Sequence, residues 1–531
     1  MLSECLKGIK VKKPGMQLLE ARPYIRICAV PGPQKDSRWS TLIQPGLPVI
    51  LQSDSPSHFK LINEWLRLCD EGKCSREGGC CPNRNGAEMP TRVIDLGEDK
   101  NDPDTVRLIS TDKIHEHYVA LSHCWGKQAQ GEIPKWCTTR SNNEQRMSGF
   151  PVAKLPATFQ DAIKVTREIG KRYLWIDSLC IIQGEGGDWG TEAKKMETVF
   201  KNAYCTIAAT SAKDSTEGFL NRPVKELNLQ YVTVSTPSHG KVYVCRSIDN
   251  FDRDVQNGVL NTRAWVLQVR FLSRRTIHFT EMQTYWECGG GVRNPFLHAQ
   301  KRYEAAQIKL FQSLFAEYSA LGLTKETDRP VAIDSLAEEL AKALNTKVKH
   351  GIFERHLHRS LLWQRSQEDT MARIDFKSDR TIPSWSWMAY RGQIKYSDIQ
   401  GVEWDESVIF VEDEASKAAS NPETNGYVLK ARVRRIQDCK IKPEGLEHVI
   451  RDKKGDEVVH LWFDQEGAAS IEIRCAIMGR QTRRRKYSKR KYYVLVVTEC
   501  PESGSWARVG MGAIEEGRIL FDGQDAAARI L

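Results

Sequence analysis

The sequence predicts an α/β fold with a largely parallel sheet, an irregular N-terminal segment, and a C-terminal region that is first helical and then rich in strands. Strand-like apolar runs alternate with amphipathic helical segments between residues 118 and 212, which is typical of a parallel sheet covered by helices. Such patterns are rare early in the chain, and short strand patterns dominate its end. We therefore divide the chain into residues 1–115, 118–268 and 269–531.

Length and composition indicate a folded protein with several domains. At roughly 150 residues per domain, 531 residues hold about two to four domains. Apolar residues make up 40% of the chain, and 14 Trp, 15 Tyr and 16 Phe supply more aromatic surface than a disordered chain carries.

The first strand of the sheet is predicted at residues 118–122 (YVALS), and it runs into a polar turn at 122–126 (SHCWG). An amphipathic helix follows, with apolar residues at helical spacing up to Gly170. Thr158 and Asp161 have the spacing of a capping box, which places the start of this helix.

A short apolar run at 173–176 (YLWI) predicts a second, buried strand that ends at Asp177. Residues 180–182 are expected to continue this strand after a break. The next helix is predicted from Asp188, a residue type that favours the N-cap position, to about Tyr204. The run TIAATSA that follows predicts a further strand.

Glu192 is the most informative polar residue of this second helix. At about 100° per residue it falls between Val199 and Ala203 on the apolar face of the helix, away from the lysines. A buried carboxylate loses solvation, which raises its pKa and costs several kcal/mol unless a partner compensates it. We therefore expect Glu192 to have either a structural partner or a chemical role.

The remainder of the chain predicts strands, then helices, then strands again. These elements are two strands around VTVS and KVYVCRS, a helix at 263–273, a strand at TIHFT, helices at 303–321 and 331–344, and short strands from Tyr427 onward.

The net charge of +10 comes mostly from one segment. The twelve residues from Arg480 to Lys491 carry eight positive charges and no acid, and without them the net charge is +2. We therefore do not expect a general nucleic-acid-binding surface. The segment lies between two strand-like runs, so we favour a solvated hairpin loop, with a localisation or polyanion-binding element as the alternative.

No stretch approaches the roughly 18 to 20 apolar residues of a membrane-spanning helix, and the N-terminus lacks the apolar core of a secretory signal. We expect a cytoplasmic protein without membrane contact, whose fifteen cysteines are reduced. Four of them form a cluster: Cys69, Cys74, Cys80 and Cys81. Their irregular spacing and the lack of a neighbouring His favour reduced loop thiols over a zinc site, which stays open as the alternative.

Six segments together resemble the fungal heterokaryon-incompatibility (HET) domain family. In chain order they are YVALSHCWG at 118–126, LPATFQDAI at 155–163, RYLWIDSLCIIQ at 172–183, DWGTEAKKMETVFKNA at 188–203, RAWVLQ at 263–268 and PSWSW at 383–387. The chain departs from the family pattern at His123, where many members have Tyr, and at Val269, where many have an acidic residue.

The resemblance implies a role in fungal non-self recognition, in which the domain triggers programmed cell death when incompatible cells fuse. It also implies a TIR-like or flavodoxin-like sheet, since the family is distantly similar to TIR domains, some of which cleave NAD⁺ at the bond to nicotinamide. NAD⁺ is thus a possible substrate, and no other cofactor is expected. The alternative is a non-enzymatic signalling module that acts through protein partners or self-assembly.

Ligands of open α/β sheets bind beyond the carboxyl ends of the strands, where this prediction places the turn after the first strand and the residues after the second. The candidate catalytic residue is Glu192, because a carboxylate near the ribose can stabilise an oxocarbenium-like centre. Its alternative is a structural acid bonded to backbone N–H groups or to an arginine such as Arg172 or Arg263.

Five residues are candidates for binding the nucleotide: Ser122, Trp125, Gly126, Asp177 and Cys180. Asp177 can accept hydrogen bonds from ribose hydroxyls, Trp125 can stack on a base, and Ser122 can bond a phosphate or a ribose. Each also has a structural interpretation: a loop cap for Asp177, a core anchor for Trp125, a turn hydroxyl for Ser122 and a small buried apolar residue for Cys180.

Overall fold

In a computed structural model the chain forms two compact units. The first consists of Met1–Thr262 and Val269–Arg293, and the second of Arg263–Gln268 and Asn294–Leu531. The structure describes residues 25–29, 53–72, 88–97, 104–112, 114–127, 132–221, 231–236, 240–246, 250–288, 304–366, 371–376, 382–412, 427–437, 446–453, 455–465, 472–482, 489–501, 503–521 and 527–531. For 25–29, 231–236, 240–246 and 304–307 it describes the backbone alone.

The first unit is built on an eight-stranded sheet. In spatial order its strands are β11 (Thr284–Cys288), β10 (Arg275–Phe279), β7 (Cys205–Ala208), β4 (Tyr118–Ser122), β6 (Tyr173–Trp175), β2 (Arg92–Asp95), β3 (Thr105–Ser110) and β5 (Phe150–Pro151). The four central strands, β10, β7, β4 and β6, run parallel, and the outer strands pair antiparallel. The α/β prediction with a parallel sheet at its centre is confirmed.

The four parallel strands have a doubly wound order. Numbered along the chain as β4, β6, β7 and β10, they lie in the order 2-1-3-4 across the sheet, as in flavodoxin-like folds. All residues of these four strands are buried, so the sheet centre is covered on both faces. In folds of this kind, ligands bind where the strand order changes, which here is between β4 and β7.

The N-terminal segment contributes more to this sheet than the sequence predicted. Strands β2 and β3 both come from residues 1–115, which we expected to be irregular. Asp95 in β2 accepts hydrogen bonds from Arg172 Nε at 2.7 Å and from Arg107 Nη2 at 2.9 Å. Although burial opposes it, hydrogen bonds from Arg172, the backbone N–H of Gly97 and Arg107 lower the pKa of Asp95 to about 2. Arg172 precedes β6, so its bond ties β2 to the parallel core.

Helices pack around this sheet. Their bounds are α1 (Pro56–Asp70), α2 (Asn143–Ser148), α3 (Ala157–Glu168), α4 (Asp177–Cys180), α5 (Trp189–Glu192), α6 (Met196–Asn202) and α7 (Ala264–Leu272), the last of which includes residues of both units. A 3-10 turn, Ala193–Lys195, joins α5 to α6, so the predicted second helix is one helical run. The prediction that Cys180 continues the strand is wrong, because Cys180 is the last residue of α4.

The capping box predicted at the start of α3 is also wrong. The N-cap residue is Pro156, and no side chain caps the helix. Asp161 instead accepts from the backbone N–H groups of Phe219 at 2.6 Å and Leu220 at 2.9 Å, while the Thr158 hydroxyl donates to the carbonyl of Asp214 at 3.2 Å. The loop at 214–220, which lies 56 to 59 residues further along the chain, thus binds the side chains of Thr158 and Asp161 that a capping box would have used.

The chain after β7 forms a separate three-stranded sheet. Its strands are β1 (Ile25–Ala29), β9 (Gly240–Arg246) and β8 (Tyr231–Thr236), all antiparallel. The two strands predicted at VTVS and KVYVCRS are therefore confirmed, and the first strand of the N-terminal segment completes their sheet.

The second unit begins with helices, as the sequence predicted. They are α8 (Glu304–Ala320), α9 (Val331–Leu344) and α10 (Leu357–Leu361). In α9, whose bounds match the predicted helix at 331–344, every buried residue lies on one face. Short strands follow, β12 (Val348–Lys349), β13 (Ile352–Phe353), β14 (Trp363–Arg365), β15 (Ala372–Arg373), β16 (Tyr390–Arg391) and β17 (Ile394–Tyr396), paired in three two-stranded sheets.

A nine-stranded sheet completes the second unit. Its strands are β18 (Val402–Trp404), β19 (Ile409–Glu412), β20 (Tyr427–Arg434), β21 (Glu447–Arg451), β22 (Glu457–Phe463), β23 (Ile473–Gln481), β24 (Lys491–Cys500), β25 (Ser505–Glu515) and β26 (Ala527–Ile530). Five of them, β20, β23, β24, β25 and β26, pair in a closed ring. β23 and β24 are antiparallel neighbours, as a hairpin requires, whereas residues 483–488 of the basic segment between them lie outside the described residues.

A buried ion pair joins this ring to the strands before it. Arg508 in β25 donates from Nε to Asp464 Oδ2 at 2.9 Å and from Nη2 to the carbonyl of Trp363 at 2.6 Å. Its guanidinium also lies over the Trp363 ring, 3.4 Å from the centroid. Both charged side chains are at most 2% exposed. Removing one of them would leave the other charge buried without compensation.

We expect Arg508→Met to lower the free energy of unfolding by about 3 to 5 kcal/mol. The matched control is Arg391→Met, since Arg391 pairs with Glu326 at 3.3 Å but both side chains are about half exposed. This change should cost less than about 1 kcal/mol. Urea unfolding followed by fluorescence would measure both, and equal losses would contradict a structural role for the buried pair.

Candidate functional site

The candidate site lies at the carboxyl edge of the parallel strands. β4 ends at Ser122 and β6 ends just before Asp177, and because the two strands pair in parallel both ends lie at the same edge. β2 is antiparallel to β6, with Ile94 opposite Leu174, so the start of β2 lies at this edge as well. Three chain segments therefore converge there.

Asp177 gathers the residues after β4. Its Oδ2 accepts from Trp125 Nε1 at 2.9 Å, and its Oδ1 accepts from the backbone N–H of Ser178 at 2.6 Å. His123 Nδ1 lies 3.9 Å from the same Oδ1. The Asp177 side chain is 21% exposed and that of His123 only 1%, so the carboxylate is the part of this group that reaches solvent.

The thiols near Asp177 stay protonated. Burial raises the pKa of Cys180 to about 12, and the negative charge of Asp177 adds to the effect. Burial and Asp177 likewise raise the pKa of Cys137 to about 12. The Cys180 sulfur accepts from the backbone N–H of Ile176 at 3.5 Å. Cys180 therefore packs as a small apolar residue at this edge, and a thiolate nucleophile is disfavoured.

Ser122 and Gly126 occupy opposite ends of the turn after β4. Ser122 is 5% exposed, pairs with Ala208 across the sheet, and its carbonyl accepts from the N–H of Ala209 at 3.0 Å. Gly126 has a φ of +87°, and a Cβ built there would lie 2.6 Å from the Cβ of Asp214. Gly126 is thus required by the backbone and by the close approach of the loop after β7.

Glu192 lies on the buried face of its helix, as predicted, with 7% of the residue exposed. Its Oε1 accepts from the Thr91 hydroxyl at 2.9 Å and from Lys195 Nζ at 2.9 Å. Lys195 Nζ also donates to the Thr91 hydroxyl at 3.1 Å, and its side chain is 50% exposed. The three side chains form a triangle that joins the helix to the residue before β2.

Arg92 connects this triangle to α4. Its Nε donates to the carbonyl of Cys180 at 2.9 Å, and its guanidinium pairs with Asp188, one helical turn before Glu192. The Asp188 side chain also accepts from the N–H of Ile182 at 2.8 Å. Hence Asp177 and Glu192 lie at the two ends of one hydrogen-bonded stretch. Within the described part of the chain, no direct contact between the two acids is recorded.

The partners of Glu192 were not predicted from the sequence. Lys195 follows Glu192 at the i,i+3 spacing that allows a helical ion pair, so its contact could have been predicted. Thr91 and Arg92 lie about a hundred residues earlier, in the segment expected to be irregular. No local pattern indicates that they reach this helix.

A second buried network lies under the ends of β7 and β10. His278 Nε2 is 2.9 Å from Glu287 Oε2, and Arg270 Nε donates to the same oxygen at 2.9 Å. His278 Nδ1 is 3.4 Å from the Thr210 hydroxyl, and burial lowers the pKa of this histidine. The network ties β10 and β11 to α7, and the His278 side chain is closed to solvent, while those of Arg270 and Glu287 are partly exposed.

Of the four clustered cysteines, Cys69 is fully buried at the end of α1. Cys74, Cys80 and Cys81 lie outside the described residues. Within the described ranges no group of three or more His, Cys, Asp or Glu side chains could hold a metal ion. In the same part of the chain no helix has the length and apolar character needed to cross a membrane.

Comparison with known proteins gives a match to a family model. Residues 118–268 match the family model described as Heterokaryon incompatibility protein (HET), and this range coincides with the segment that carries most of the six motifs. No curated protein and no solved structure matches the chain significantly.

We expect Gly126→Ala to lower the free energy of unfolding by more than Gly170→Ala. Both glycines have a positive φ, so each alanine costs about 1 kcal/mol for the backbone alone. Only at Gly126 does the added Cβ also meet a neighbour, because nothing lies within 4 Å of a Cβ at Gly170. Thermal unfolding of the two variants measures the difference, and equal costs would contradict the close approach of Asp214.

Proposed function

Residues 118–268 belong to the heterokaryon incompatibility family, and from this premise we propose that the chain triggers or regulates programmed cell death in fungal non-self recognition by hydrolysing NAD⁺. The observation that carries the chemical part is the Glu192 carboxylate, 7% exposed and fixed by two donors near the carboxyl edge of a parallel sheet. Such an edge is where doubly wound folds bind nucleotides.

The reaction consumes one water and breaks the bond between ribose C1′ and the nicotinamide nitrogen. Nicotinamide leaves as a neutral molecule, the water oxygen joins C1′, and one proton is released with ADP-ribose. The transition state has oxocarbenium character, so a negative charge beside the ribose lowers the barrier. Glu192 supplies that charge, and Thr91 and Lys195 hold its carboxylate in one orientation.

Asp177 would bind the ribose hydroxyls. A carboxylate has about four lone-pair sites, and two of those of Asp177 accept from Trp125 and from the backbone of Ser178. The remaining sites and the 21% exposure of the side chain leave it able to accept from a diol. Trp125 is half-buried with its indole N–H fixed by Asp177, which orients the ring for stacking on a base.

A second function has support of its own. Glu192 joins its helix to the residue before β2 through Thr91 and Lys195, which is also how a purely structural acid behaves. In that case the domain is a non-enzymatic signalling module, and its loops act by binding a protein partner or another copy of the chain.

We expect purified, concentrated protein to release nicotinamide from NAD⁺, and Glu192→Gln to reduce the rate by about 100-fold or more. The amide keeps the shape of the side chain but removes its charge. Chromatography of the products measures the rate. Glu197→Gln is the matched control, because Glu197 is on the same helical run and pairs with its own lysine, Lys201, at 3.9 Å.

The same two variants separate the two functions in cells. If the chain acts by NAD⁺ hydrolysis, its overexpression lowers the NAD⁺ content of the cells and kills them, and Glu192→Gln abolishes both effects. Killing that persists in Glu192→Gln with unchanged NAD⁺ would establish the signalling module instead. Nicotinamide release at the same rate in both variants would remove Glu192 from the mechanism.

A further inference from the structure

Two arginines lie on the segment 136–148, beside the Asp177 group. The segment is hydrogen-bonded to the chain just after Asp177: Thr138 N–H donates to the carbonyl of Ser178 at 2.9 Å, and its hydroxyl donates to the carbonyl of Leu179 at 2.6 Å. The proximity is also electrostatic, since Asp177 acts on the thiol of Cys137 within this segment. The segment is therefore fixed at the edge of the candidate site.

Arg140 presents an exposed guanidinium against a glycine-rich loop. A Cβ built on Gly186 would lie 2.8 Å from Arg140 Cζ, so the guanidinium rests directly on the backbone of this loop. Gly186 belongs to the loop that links α4 to α5, and the N–H of Gln183 in that loop donates to the carbonyl of Thr138 at 2.7 Å. Among the residues that the structure describes, Arg140 has neither an ion-pair partner nor a hydrogen-bond acceptor.

Arg146 and Trp136 add donors that lack acceptors. Arg146 Nη2 donates to the carbonyl of Trp136 at 2.7 Å, but its Nη1 is buried and has no acceptor in the described part of the chain. The indole N–H of Trp136 is buried without an acceptor in the same way. A buried donor left unpaired is unfavourable, so each of these two groups would gain from an acceptor brought to this segment.

We propose that Arg140, Arg146 and Trp136 form a binding site for the diphosphate of a dinucleotide. This inference rests on the proposed function, since Asp177 would hold the adjoining ribose. Two guanidinium groups and an indole N–H supply several donors and two positive charges, whereas the substrate's diphosphate supplies two negative charges and many acceptors. A planar guanidinium group can donate two parallel hydrogen bonds to two phosphate oxygens. Two arginines suit a diphosphate, whereas a single carboxylate needs only one such group.

The test is the affinity for ADP-ribose, measured by calorimetry on the full chain. ADP-ribose is the reaction product, so binding is measured apart from catalysis. We expect Arg140→Gln to lower the affinity for ADP-ribose about tenfold and to lower the affinity for inorganic pyrophosphate as well. The affinity for nicotinamide riboside, which has no phosphate, should stay unchanged. Arg140 is exposed, so the variant should fold normally. Lys154→Gln is the control, because it removes the same single charge from another exposed position.

A second variant reaches the same guanidinium indirectly. Gly186→Ala places a Cβ against Arg140 and should displace it, whereas Gly190→Ala meets nothing within 4 Å. We expect Gly186→Ala to lower the affinity for ADP-ribose and Gly190→Ala to leave it unchanged. The same loss in Arg140→Gln and Lys154→Gln would show a general charge effect and overturn the proposal.

The outcomes for the site and for the activity are distinct. Nicotinamide release with unchanged ADP-ribose affinity in Arg140→Gln would overturn the diphosphate site and leave the hydrolysis standing. Loss of ADP-ribose binding in Arg140→Gln, in a protein that releases no nicotinamide, would establish the site and reject the hydrolysis. Wild-type protein that binds neither ADP-ribose nor pyrophosphate would overturn the diphosphate site.

Discussion

Parallel pairing of β4 with a strand on each side is the constraint on which the candidate site depends. Because β4, β6 and β7 all run in one direction, the polar residues that follow them must emerge at one edge of the sheet. Their apolar residues are buried on both faces, which fixes the register and hence the position of each strand end. The position of the candidate site therefore follows from the strand topology, whichever side chains occupy it.

Two acids at this edge have different surroundings. Asp177 is held by a neutral indole N–H and a backbone N–H, and it reaches solvent. Glu192 is held by a hydroxyl and an ammonium group and is nearly closed off. Arg92 connects their helices without touching either carboxylate. The edge thus offers one accessible acceptor, Asp177, and one enclosed carboxylate, Glu192, that is paired with an ammonium group.

The sequence predicted those features that depend on local patterns. Residues 118–122 were identified as a strand to the residue, since a continuous apolar run followed by a polar turn has few alternatives. Glu192 was placed on the buried face by helical periodicity alone. Residues 180–182 were misassigned, because a short apolar run does not distinguish a strand from the end of a helix. Thr158 and Asp161 failed as a cap because a distant loop binds them. Such long-range contacts leave no periodic signal.

The protonated thiols near Asp177 determine how this edge responds to oxidants. Peroxides and alkylating agents attack the thiolate form of cysteine, and Cys137 and Cys180 are almost wholly neutral at cellular pH because both are buried next to a carboxylate. Reagents that silence cysteine-dependent enzymes should leave this region chemically unchanged. Alkylating reagents applied to the folded protein should therefore modify Cys137 and Cys180 far more slowly than an exposed thiol.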